Sequence, residues 1–188
     1  MRAGALWTTL ALVAIATGIG IPQAPAQIDD EDERQREQAR LYPLIGREPP
    51  PFSLLRLDGR RVALSDFTGH VVVLYFWTTA SSYGADELSS RMEKMQREWR
   101  DRKFTVLAVN VKEKKEEVAP WVQKRLLSPV VLLDTDGGVS QDYRVRAIPT
   151  VYVIGRDMRL VGRASGTRAW DEGPEKALLD YLVKAPAS

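Results

Sequence analysis

Residues 71–77, VVVLYFW, run for a full strand's length without one polar side chain. A β-branched and aromatic run that lacks polar alternation marks a strand covered on both faces, as in a parallel or mixed central sheet. This strand belongs in the middle of the fold. Directly after it comes a small polar tip, TTASSYG. Beyond the tip Ala85, Leu88, Met92, Met95 and Trp99 recur at steps of three and four, one apolar stripe on a helix. Ser81 or Ser82 can cap the first amides of that helix.

The rest of the chain continues the alternation. FSLLRL and RVAL flank Asp58-Gly59, a strong hairpin signal, so residues 52–64 are expected to pair as two strands. SDF begins a short turn. KFTVLAVNV reads as a second buried strand, and EEVAPWVQKRLL as a helix whose Pro120 sits in its first turn or kinks it. PVVLL is a strand, DTDGG a turn and VSQDYRV a short helix. TVYVIG and RLVGRAS form an antiparallel pair through RDM, and GPEKALLDYLVK closes the chain as a helix with Pro174 in its first turn. The expected order is β-β-β-α-β-α-β-α-β-β-α.

Composition narrows the chemistry. The 188 residues are 44% hydrophobic and 28% charged, which suits one globular domain with some extra chain. A formal net charge of +2, with both signs mixed along most of the chain, argues against nucleic acid as a partner. Cysteine is absent, which excludes disulfides, thiolate catalysis and sulfur-ligated metals within this polypeptide. The one histidine, His70, makes no metal site without partners. No cofactor and no metal are expected.

The N-terminus reads as an export signal over residues 1–26. Arg2 is a minimal positive region, ALWTTLALVAIATGIGI is apolar, and Ala24 and Ala26 are the small residues before a cut. The expected location is periplasmic or secreted; the alternative is an uncleaved membrane anchor made of the same segment. Residues 27–43 are read as a charged, proline-bounded linker with too little apolar surface to fold alone. The folded domain is placed at 44–185.

The order of elements and the words at its joints resemble the thioredoxin superfamily, and in particular the secreted TlpA and ResA-like thiol-disulfide oxidoreductases. The likeness runs from about Leu44 to Val183 and rests on IGREPPPFSLLRLDGRRVALSDFTGHVVVLYFW, FTVLAVNV, PVVLLDTDGGVSQDYRVRAIPTVYVIGRDMRLVGRASG and the RAW that follows. It implies an α/β, thioredoxin-like fold: a central mixed β-sheet flanked by helices, with an N-terminal β-hairpin extension. It also implies that Ile148-Pro149-Thr150 is the family's cis-proline loop, facing the active site.

At the tip the family carries, after its Phe-Trp, a tryptophan and a Cys-Pro-Pro-Cys. This chain has Thr78, Thr79 and Ala80, then Ser81-Ser82-Tyr83-Gly84. Both sulfur positions are gone. A serine hydroxyl is not ionised at neutral pH and forms no stable sulfur-sulfur intermediate, so dithiol exchange by this polypeptide alone is ruled out. Ser81 as a nucleophile needs a base, and His70 lies at the opposite end of its strand; helix capping is the better reading. Glu87 falls where such enzymes often hold an acid near the cysteines, and here its structural role is to favour the first turn of the helix.

Asp134 and Asp136 are spaced like the opening of a calcium loop, but Gly138 occupies the next ligand position, so the segment reads as a turn. Trp77, Trp99 and Trp121 lie on periodic apolar faces and read as core. Trp170 is the exception, expected in a loop near the cis-proline side.

Two function classes follow. The favoured one is a non-catalytic module that holds an extended peptide or a periplasmic protein partner at Ala80, Ser81, Ser82, Tyr83, Glu87, Ile148, Pro149 and Thr150. The alternative is a thiol-disulfide oxidoreductase-family protein that takes part in redox or cytochrome-maturation chemistry only with a partner that supplies thiols.

Overall fold

The central strand sets the layers. In the computed structural model, which describes residues 31, 34, 35, 37, 39, 41–80 and 85–185, strand β4 (Val71–Trp77) is buried at all its positions. It pairs in parallel with β5 (Phe104–Val111), which pairs in parallel with β6 (Val130–Asp134). On its other side β7 (Thr150–Ile154) runs antiparallel, followed by β8 (Leu160–Ser165). The hairpin β2 (Ser53–Arg56) and β3 (Arg61–Ala63) pairs as expected and joins the sheet through β6. With β1 (Tyr42–Arg47) the result is an eight-stranded mixed sheet in the order β1-β8-β7-β4-β5-β6-β2-β3.

The unbroken apolar run in β4 has its reason in this sandwich. Val71, Val73, Tyr75 and Trp77 face a layer made by helices α1 (Ala85–Glu98), α2 (Lys115–Arg125) and α4 (Gly173–Lys184). Val72, Leu74 and Phe76 face the other layer, where Phe52, Leu64, Tyr143 and Tyr152 gather. This second layer also carries the short helix α3 (Gly138–Asp142) and a 3₁₀ turn at Leu64–Phe67. Burying each large apolar side chain is worth about 1.5–3 kcal/mol, so β4 serves two cores at once. On α1 the stripe is buried as its spacing requires: Leu88, Met92 and Met95 in the helix and Trp99 just past its end.

Three features depart from the sequence reading. The charged stretch read as linker does not all stay outside the fold: Ala39 and Leu41 are buried and β1 pairs with the outer side of β8. Gly162 on β8 permits that approach, since a Cβ there would lie 2.9 Å from Leu41 Cβ and 3.1 Å from the Tyr42 carbonyl. Pro120 occupies the sixth position of α2, past the first turn, so of the two readings given for it the first-turn one fails. Trp170 lies in the loop between β8 and α4, as expected, but is wholly buried there, in one cluster with residues of α1 and α4.

The DTDGG turn behaves as a helix start. Asp134, fully buried, accepts hydrogen bonds from the amides of Val139 (3.1 Å) and Ser140 (2.8 Å), satisfying donors at the beginning of α3. Among the described residues no group of acidic residues and histidine is arranged to hold a metal ion.

Candidate functional site

The end of the sheet at which β4 finishes is also the end at which β7 begins. Phe76 lies opposite Thr150 in the antiparallel pair, so Thr78–Ala80 and Ile148-Pro149 leave the sheet side by side. The Ile148–Pro149 peptide bond is cis. Pro149 and Thr150 are buried, and Ile148 is half-buried. The loop is tied down on both sides: Thr150 Oγ1 donates to the Ala147 carbonyl at 2.7 Å, and the Gly166 amide donates to the Pro149 carbonyl at 2.9 Å.

Of the tip residues expected to face this loop, Ser81, Ser82, Tyr83 and Gly84 lie outside the described residues, and Ala80 is exposed. The flanks of the tip are held from an unexpected quarter. Glu113, just after β5, accepts from the Thr79 amide at 2.7 Å and from the Thr79 hydroxyl at 2.6 Å. The same carboxylate accepts from Asn110 Nδ2 at 2.5 Å. On the far flank Arg125, the last residue of α2, grips Asp86 with two hydrogen bonds, 2.7 and 2.9 Å. Its guanidinium also lies 3.8 Å from the centre of the Trp121 ring, and Trp121 packs at 4.5 Å on Trp77. That contact carries the grip back to the end of β4.

The charges around the tip are paired. The Asp86 carboxyl is held below its ordinary value, chiefly by the hydrogen bonds from Arg125. Glu87 sits exposed in the first turn of α1 and pairs with Arg91 one turn on, at 3.1 Å. Arg91 also reaches Asp171 at 2.5 Å and Glu172 at 3.1 Å, and Lys94 reaches Asp171 at 2.8 Å. Burial alone would raise the Asp171 carboxyl; the hydrogen bonds from Lys94 and Arg91 outweigh it and bring it down to about 2. These ties lock the middle of α1 to the segment leading into α4. His70 is at the opposite end of β4, its Nδ1 2.9 Å from Thr105 Oγ1, and it takes no part here.

Residues 45–163, more than half of the chain, match the AhpC/TSA family. The chain belongs to that family. Within it, the protein is 30% identical over 137 residues to the thiol-disulfide oxidoreductase ResA of Bacillus subtilis (strain 168), covering 73% of each chain. A ResA of Bacillus thuringiensis subsp. konkukian is 27% identical over 140 residues, 74% of this chain and 78% of that one. Among solved structures, a protein of Chlorobium tepidum proposed to be the thiol:disulfide interchange protein DsbE superposes with a TM-score of 0.69 at 27% identity. That superposition covers 73% of this chain and 96% of the other. The fold is thioredoxin-like.

This AhpC/TSA-family protein therefore keeps a thioredoxin-like frame around a tip in which no sulfur is available. What the described flanks of the tip offer is hydrogen-bonding groups. Trp77 Nε1 and Asn110 Oδ1, cross-strand neighbours in the β4–β5 register, are buried with no partner among the described residues. Glu113, Asn110 and Arg125 escaped the sequence reading, and Trp121 was read there only as core. Asn110 alone left a signal, as a polar residue near the end of an apolar strand. Nothing in KEKKEE distinguishes Glu113 from Glu116 or Glu117.

Proposed function

We propose that this protein is an exported, non-catalytic binding module: it holds an extended segment of a periplasmic partner protein in the groove between the tip and the Ile148-Pro149-Thr150 loop. The observation that carries this reading is the absence of cysteine from a chain whose frame belongs to a thiol-exchange family. Without a thiolate the tip exchanges no electrons, while the backbone beside Pro149 and the surface around Ala80 remain able to pair with a strand of a partner. Export is read from the N-terminal signal pattern over residues 1–26. Among the described residues no helix is long and apolar enough to cross a membrane.

A benzophenone side chain introduced at Tyr83 in the full-length protein, activated in intact cells, is expected to crosslink to an extended segment of one partner. The same probe at Arg100, exposed in the turn that follows α1, serves as the control. Capture at position 100 and not at 83 overturns the reading. The purified protein is expected to show no reduction of insulin disulfides; turnover in the absence of any added thiol protein overturns the non-catalytic part. The second reading, chemistry with thiols lent by a partner, is favoured by the oxidoreductase activity for which the relatives are named. It predicts disulfide reduction only in the joint presence of the captured partner.

A further inference from the structure

Sulfur survives in this chain only as methionine. Three methionines fall among the described residues. Met92 and Met95 lie on the stripe of α1 and are fully buried, whereas Met158, in the turn between β7 and β8, is half-buried against the cluster of Phe52 and Leu64. Met158 also lines a cavity, open to solvent, whose apolar wall includes Pro49, Pro51, Phe52 and Leu64. At about 340 Å³, the cavity has roughly ten times the share of liquid volume that one water takes, which leaves room for a molecule of peroxide size.

The turn that carries Met158 is closed by its own backbone. The Gly155 amide donates to the Arg159 carbonyl at 2.8 Å, the Met158 amide to the Gly155 carbonyl at 3.0 Å, and the Arg159 amide to Asp157 Oδ1 at 3.0 Å. Met158 sits at φ +61°, a left-handed conformation that glycine takes freely and other residues only at a cost. A second tie joins this turn to the end of the 3₁₀ segment: the Gly69 amide donates to the Arg156 carbonyl, and Arg156 Nε to the Gly69 carbonyl, each at 3.2 Å. None of these bonds uses the Met158 side chain, which is left to pack.

We propose that Met158 is a modification site, the one described sulfur that hydrogen peroxide reaches in the folded protein, and that its oxidation loosens the β7–β8 turn from the Phe52–Leu64 wall. In that step the O–O bond breaks, one oxygen joins the thioether as a sulfoxide and the other leaves as water, the sulfur giving up the two electrons that the peroxide takes. A thioether that was flexible and apolar becomes polar and no longer suits an apolar wall. A methionine sulfoxide reductase, drawing on thiols, restores it. The backbone ties of the turn remain, so the change is local.

Peptide mapping of the full-length protein after exposure to dilute hydrogen peroxide tests the site. Met158 is expected to gain one oxygen roughly ten-fold faster than Met92 and Met95, and in urea the three are expected to react alike. A Met158 that reacts no faster than the buried pair in the native protein, or that keeps its lead in urea, overturns the site. Amide exchange in the oxidised protein is expected to rise over 64–68 and 155–160, with β4 and β5 protected as before. Met158→Leu, which keeps the apolar packing, is expected to abolish that rise under peroxide, and Met158→Gln, which puts a polar group on the wall, to produce it without oxidant. Exchange that stays unchanged both on oxidation and in Met158→Gln overturns the loosening.

Discussion

His70 is the one histidine of the chain, which makes its titration a clean probe of a single site. Burial lowers its pKa below the ordinary 6.5, and the positive charges of Lys103 and Arg156 push the same way. A depressed histidine favours the neutral form in the folded state, so its contribution to stability is present above pH 6.5 and is lost as the pH falls through the folded value. The imidazole signal in NMR is expected to titrate below 6.5; a midpoint at or above 6.5 contradicts the burial argument. Gly137 is a second position where local geometry is decisive. Its φ is +78°, and a Cβ there would meet Lys112 Cε at 2.2 Å. The lysine can swing away, but the left-handed backbone cannot be relieved, so Gly137→Ala is expected to lower stability by about 1–2 kcal/mol in denaturant unfolding. Single positions of this kind are only half legible in a sequence. That DTDGG is a turn follows from its composition. That the turn presses against Lys112, itself at φ 58°, follows from where β5 ends beside β6.

Elements were read well where periodicity reports burial, and poorly where it does not. β4 and the stripe of α1 declare themselves because each is packed along its whole length. β1 does not: it carries Pro43 and Gly46, Tyr42 is 61% exposed, and its anchorage comes from Ala39 and Leu41 just before it. Since β1 sits against Gly162, Gly162→Ala is expected to detach it, seen as faster amide exchange over 42–47 with β4 and β5 protected as before. Slow exchange over 42–47 in that variant would show that β1 tolerates the added methyl. The junction of α1 and α4 makes a prediction of its own. Asp171, held at about 2 by Lys94 and Arg91, contributes stability above the ordinary carboxylate range near pH 4 that is lost as the pH falls toward 2. Asp171→Asn is expected to cost about 1–2 kcal/mol at pH 7 and to flatten the decline in melting temperature between pH 4 and 2. An equally steep acid decline in the variant would place the acid sensitivity elsewhere.

For the protein as a unit, the placement of the tip is tested by giving back what the family's chemistry requires. With Ser81→Cys and Gly84→Cys, the thioredoxin-like frame is expected to close an intramolecular disulfide with glutathione, detected as loss of free thiols without dimer formation. Thiols that stay free, or that pair only between molecules, would mean that the tip does not present these two positions as the family frame does. The sequence alone decides that no such chemistry occurs in the natural chain, because the absence of cysteine is a matter of composition and no fold can supply sulfur. It also decides the layered fold, because an apolar run such as VVVLYFW is stable only between two covering layers. The tertiary structure decided what holds the tip. The bond from Thr79 to Glu113 spans 34 residues, and that from Asp86 to Arg125 spans 39. Periodicity records which face of an element is buried; which partner a polar group meets depends on the register of β4 against β5 and on where α2 comes to rest, and neither exists until the sheet has assembled.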